Sequence, residues 1–176
     1  MSLQRILSII FWTIFLLAVP WIVPDEYFLH LVIYSGFFVM LCAGLNLLTG
    51  YMGLLSLGHL AFWGLGGYAS ALLTIKAGWS FWFGLIAGGL LAGVSAYLLG
   101  VLILKVRGPR FVIITIAFQL LVQLVAYNWT SLTDGQKGLA GVPSPTLVIP
   151  GIGTIDFFVK TNFYYLILVS CVITVF

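Results

Sequence analysis

The chain has 176 residues, of which 62% are hydrophobic and 6% charged, and its mean hydropathy is +1.22. A soluble domain carries about 25% charged residues, so these charges are too few to coat a water-facing surface, and an independently soluble globule is excluded. The net charge of +3 does not point to nucleic acid either, because Lys105, Arg107 and Arg110 form the one tight basic cluster. Such a cluster beside an apolar run marks the cytoplasmic side of a membrane helix. The fold class that follows is all-α, a polytopic bundle of transmembrane helices.

About 20 apolar residues are needed to cross the hydrocarbon core. Five runs come near that length: Ile6–Val23, Phe28–Leu48, Leu54–Ile75, Phe81–Leu104 and Phe111–Tyr127, with a sixth beginning at Phe163. Arg5 ahead of the first run imitates a signal peptide, but Pro20 and Trp21 stand where a small-residue cleavage site is needed, so the run reads as a retained helix. In the third run, Gly53, Gly58, Gly64, Gly66 and Gly67 allow either a full crossing or a broken or re-entrant helix; the latter needs cover from protein or water. The sixth run, at 1.5 Å per residue, reaches only about 21 Å of a core about 30 Å thick. The expectation is therefore about six spans in the N-terminal part of a longer protein.

Placing the N-terminus in the cytoplasm puts Arg5, Lys105, Arg107 and Arg110 inside with no acidic residue, and all four acids outside. The Lys and Arg bias favours that orientation. Residues 128–162 then form an extracytoplasmic loop, in which Gly135, Gly138, Gly141, Pro143, Pro145, Pro150, Gly151 and Gly153 rule out a continuous helix. Alternation in Thr146–Ile149 and Thr154–Val159 fits two short strands around Pro150–Gly153, and linker coil fits as well.

Three sets of residues carry further information. Gly84, Gly88, Ala92, Ala96 and Gly100 recur every four residues, a stripe along which helices approach closely; packing within the chain is favoured over a subunit interface. Thr115, Gln119 and Gln123 share one face of the fifth run. Two amides cannot face lipid cheaply, so this face turns toward other helices, as structural glue, or toward a polar translocation path. Asn46, Thr49, Ser56 and His59 cluster where the third run begins, and Asn46, Ser56 and His59 join the candidate path.

Ser56 and His59 share a helix face but lack an orienting acid and a nucleophile elbow, so no catalytic residue is assigned. There is no G-x-x-x-x-G-K-[ST] loop for ATP. Cys42 and Cys171 sit in apolar runs without metal-ligand or redox spacing. No cofactor and no metal site is expected.

The stretch TGYMGLLSLGHLAFWGLGGYASALL resembles the signature of inner-membrane permeases of branched-chain amino acid ABC importers, the LivM type. LKVRGPRFVIITIAFQLLVQLVAYNWTSLTDGQKGLAGVPSP looks like that family's basic cytoplasmic turn, following helix and outer loop. Together they cover roughly Ala43 to Pro145, and two ordered motifs at family spacing are far more specific than hydropathy. The resemblance implies one permease domain over residues 1–176, in a bacterial inner membrane and surrounded by lipid. It also implies a second related permease subunit, two cytoplasmic ATP-binding subunits that hydrolyse ATP, and a periplasmic substrate-binding protein. The element that couples to an ATPase is not in this sequence. Urea and short-amide permeases resemble the same family, and Thr115, Gln119 and Gln123 suit either solute. A noncatalytic membrane scaffold is the alternative of a different class.

Overall fold

The structure, a computed structural model, describes residues 14–21, 25–103, 105–106, 108–149 and 153–175. The chain divides into two compact units: described residues up to Met40 together with those from Val148 onward, and residues 41–147. Most of the first expected span, Ile6–Val23, lies outside the described residues, as do Arg5 and Arg107; residues 14–21 of that span are helical.

Helix α1 runs Glu26–Asn46 and passes into a π-type turn, Leu47–Tyr51. It is followed by α2 (His59–Lys76), α3 (Phe81–Ile103), α4 (Pro109–Asn128), the single turn α5 (Thr130–Thr133), strands β1 (Thr146–Ile149) and β2 (Gly153–Asp156), and α6 (Lys160–Val175). Among the described residues three helical stretches are long and apolar enough to cross a membrane: Glu26–Tyr51, Phe81–Ile103 and Pro109–Asn128. These correspond to the second, fourth and fifth of the expected six spans, while the third and the last differ from expectation. The third does not begin at Leu54, because Met52–Gly58 is not helical and α2 starts only at His59. The last described helix has 16 residues, about 24 Å and still short of a bilayer core.

Within residues 41–147, α2 and α3 form a hairpin. Left-handed Gly78 (φ 67) turns the chain after α2, and the Leu73 carbonyl accepts the N–H groups of both Ala77 and Trp79. The seam is made of small residues. A Cβ added at Gly88 would collide with the Gly66 carbonyl, one at Gly84 would lie 2.9 Å from Thr74 Oγ1 and 3.0 Å from the Ser70 carbonyl, and one at Gly66 would touch Ala92. Rising numbers on α2 thus meet falling numbers on α3, as an antiparallel pair requires. In lipid, where apolar burial gives helices little reason to associate, this backbone proximity is what holds them by dispersion. Ala96 and Gly100 continue the stripe, half-buried. The other faces of α3 are apolar and open, with Phe83, Leu90 and Leu102 each at least 66% exposed, a surface that suits hydrocarbon and not water.

Pro109 opens α4 at its first turn, where a fixed φ and a missing N–H cost nothing. Beyond α4, Thr133 Oγ1 donates within reach of the Ala126 and Trp129 carbonyls at 2.6 and 2.8 Å, and Lys76 Nζ donates to the Ser131 carbonyl at 2.9 Å. These bonds tie α5 to the ends of α2 and α4.

In the other unit, Leu29 and Ile33 of α1 pack on Tyr164 and Ile167 of α6 with Val19. Gly36 leaves room for Ile167, and Cys171 Sγ lies 3.2 Å from the Gly36 carbonyl as a weak donor. Lys160 and Glu26 form an exposed ion pair at 2.6 Å. β1 and β2 form a two-stranded sheet. The second strand ends at Asp156, short of the expected Val159, because the Asp156 carboxylate accepts the Phe158 N–H at 2.9 Å and its carbonyl accepts Asn162 Nδ2 at 2.8 Å. Those bonds turn the chain into α6.

Candidate functional site

Hydroxyls inside the helices show how this chain treats polar groups among apolar neighbours. Ser35, Thr49, Thr74, Ser95, Ser170 and Thr174 each donate to the carbonyl four residues back, at 2.7–2.9 Å. Such back-bonding satisfies the hydroxyl within its own helix. The α4 strip is treated differently.

Thr115 is 2% exposed and its Oγ1 donates to the Val112 carbonyl at 2.8 Å. The same oxygen accepts the N–H of Leu57 at 3.3 Å, from the non-helical segment ahead of α2. One turn along α4, Gln119 is half-buried, and its Oε1 is buried without a hydrogen-bond partner among the described residues. A turn further, Gln123 is exposed, and its Nε2 reaches Tyr127 Oη only at 3.5 Å, beyond a well-formed bond. Along one face, therefore, the strip passes from a closed, bonded hydroxyl through an orphaned amide oxygen to an open amide.

The segment facing Thr115 owes its shape to the end of α1. The π-type turn is a local widening of the helix; in it Thr49 bonds back to Leu45, and a Cβ on Gly50 would lie 2.8 Å from Asn46 Oδ1. The Leu54 N–H then returns to the Leu48 carbonyl at 3.1 Å. Gly53, at φ 64, takes the left-handed conformation that side chains disfavour. Ser56 and Gly58 are buried, whereas Met52, Gly53, Leu55 and Leu57 are exposed. Gly58 sits so close to α4 that a Cβ there would lie 2.9 Å from the Thr115 carbonyl. His59 opens α2 with its Nε2 2.8 Å from where a Cβ on Gly44 would stand, so Gly44 makes room for the ring on α1.

The structure brings the Ser56–Gly58 segment against Thr115 and sets His59 against Gly44. It leaves Gln123 and Asn46 exposed, with Asn46 turned toward its own π-type turn. Sequence reasoning missed Gly44 and Leu57 and took Gly58 only as a possible break in the helix; all three act through absent side chains or a backbone N–H, and the SLGH run was the available signal. It also missed a concavity of about 760 Å³ in residues 41–147, lined almost wholly by apolar side chains such as Leu65, Leu91, Leu98, Phe118 and Leu121.

The profile of the family described as branched-chain amino acid transport system / permease component matches residues 27–176. Over 110 residues the chain is 38% identical to the high-affinity branched-chain amino acid transport system permease protein LivM of Escherichia coli strain K12, a match covering 62% of this chain and 26% of that protein. The protein of the same name from Salmonella typhimurium strain LT2 is 37% identical over 110 residues, with the same shares covered. The match thus spans about a quarter of the length of these relatives. No solved structure matches the chain.

Proposed function

Because this chain belongs to the branched-chain amino acid transport permease family, we propose that it is part of a membrane-spanning subunit of an ABC importer and forms part of the translocation path for branched-chain or related amino acids. The observation that carries the reading is the family match across residues 27–176, nearly the whole chain. Asn46, Ser56, His59, Thr115, Gln119 and Gln123 are the proposed path residues. An amino acid crosses as a zwitterion, so its path calls for neutral groups that replace water without a strong field of one sign. Two amides, two hydroxyls, an asparagine and a histidine supply that chemistry. An amide oxygen left without a donor inside an apolar helix is otherwise an expense with no return.

The proposal extends to the surroundings. The chain is one permease domain with about six spans in a bacterial inner membrane, the third broken or re-entrant or a full crossing, its N-terminus cytoplasmic and residues 128–162 outside. It works with a second related permease, two cytoplasmic ATP-binding subunits that carry out the hydrolysis, and a periplasmic binding protein. In this topology a cysteine placed within Lys105–Arg110 reacts only from the cytoplasmic side and one within Gly135–Pro145 only from outside; reaction of both from one side contradicts it.

The test of function is uptake by the full-length permease, reconstituted in vesicles with its partner subunits. Binding-protein-dependent, ATP-dependent accumulation of leucine is the expected result. Accumulation of urea in its place moves the substrate to short amides, and no accumulation of either leaves a membrane scaffold.

A further inference from the structure

The contact between Leu57 and Thr115 is unequal. Thr115 already donates to Val112, so its hydroxyl is satisfied whether or not Leu57 is present. Leu57 lies where no helix takes its N–H, and an N–H without an acceptor is heavily penalised away from water. The bond that joins them is 3.3 Å long, at the loose end of such bonds. On one side of this contact the chain has a π-type turn and the left-handed Gly53; on the other, Gly58 begins α2 pressed on the Thr115 backbone. Between them Met52, Leu55 and Leu57 are exposed, so few side chains anchor the segment, while Ser56 is covered at 5% exposure.

From this we infer that residues 52–58 are a strap, hinged at the π-type turn and Gly53 and latched to α4 through Thr115, and that the latch opens during transport to uncover Ser56 and the Thr115 end of the polar strip. The inference rests on the transporter reading above. Thr115 is here a positioning residue: it holds the strap, and the strap covers the path. A single long hydrogen bond suits the role, since a latch must release on each cycle, and hinges are commonly a few residues at the ends of elements. Discontinuous helices in transporters place unwound backbone where solute passes, because the backbone there lines a cavity and not lipid.

The test uses the full-length permease with its partner subunits in vesicles, with Ser56→Cys as reporter and all other cysteines, Cys42 and Cys171 among them, replaced by serine. The rate of Ser56→Cys modification by a small water-soluble methanethiosulfonate is measured at rest and during turnover with ATP and leucine, alongside uptake by the unmodified permease. At rest the rate is expected to be low. Thr115→Val keeps the shape but removes the acceptor, and raises the resting rate about two- to tenfold, the worth of one net hydrogen bond. Thr115→Ser keeps the acceptor and restores protection. Turnover raises the rate in the Thr115 parent toward that of Thr115→Val. A rate unchanged by Thr115→Val, or unchanged by turnover in a permease that transports, overturns the strap. Absence of uptake from the unmodified permease overturns the transport reading itself, and the strap's role with it.

Discussion

Two close contacts in residues 41–147 are both made possible by glycine, and they behave as opposites. Along the α2–α3 seam, Gly66, Ser70 and Thr74 meet Ala92, Gly88 and Gly84 over several turns, so each contact is supported by the next. At the start of α2, Gly58 meets Thr115 with one long hydrogen bond beside it, and the next contact with α4 is the Phe62–Phe118 ring pair a turn further on, at 5.3 Å between centroids. A repeated contact fixes two helices; a non-helical segment held ahead of its helix by one long hydrogen bond can part from its neighbour. The first is a scaffold and the second a place for movement.

The largest effect is expected at the seam. Gly88→Leu puts a branched side chain against the Gly66 carbonyl and should cost about 1–3 kcal/mol or more, seen as loss of assembled protein from membranes and a lower unfolding temperature in detergent. Ala92→Leu should act in the same direction. Full yield and stability for both would mean that the seam is not what holds the hairpin.

A smaller effect is expected at Gly58→Ala. The φ of −85° at Gly58 suits any residue, so the loss comes only from the approach to the Thr115 carbonyl, about 1 kcal/mol of stability at the low end of overpacking. Uptake should fall more than yield, because displacing the strap alters the path without dismantling the fold. Equal falls would make Gly58 a second piece of scaffold.

Gln123→Leu comes next: the amide is exposed and loosely bonded, so stability should stay within about 0.5 kcal/mol, with uptake reduced. The smallest effect belongs to Leu90→Ile on the exposed face of α3; yield and uptake should both match wild type, and a loss there would show that the open face of α3 is packed in the assembled permease.

Hydropathy placed the elements whose environment is uniform. The runs Phe81–Leu104 and Phe111–Tyr127 differ from α3 and α4 by at most two residues at either end, because nothing in them competes with the helix. It failed at the third run, since Leu54, Leu55 and Leu57 are as apolar as any helical residue, and only the backbone, through the π-type turn and Gly53, stops the helix there. The spacing of Thr115, Gln119 and Gln123 was visible because helical period is local. The meeting of Thr115 with Leu57 was not, as the two lie 58 residues apart and one of the groups is a main-chain N–H. The small-residue stripe of α3 was legible as spacing, while its partners Ser70 and Thr74 were not, because serine and threonine carry no distinct packing signal, and Gly66 was legible only as a possible break in the helix.

The central claim is that the two amides of the α4 strip serve passage and not cohesion, and Gln119 tests it most directly. Its buried Oε1 has no partner among the described residues, a state that costs a fold about 1–3 kcal/mol, so Gln119→Leu should leave the yield of assembled complex unchanged or raised. Leucine uptake per assembled complex, measured in vesicles with the binding protein and ATP present, should nevertheless fall severalfold. Uptake per complex equal to wild type would contradict the account, and a fall in yield that alone explains the loss of uptake would make Gln119 structural.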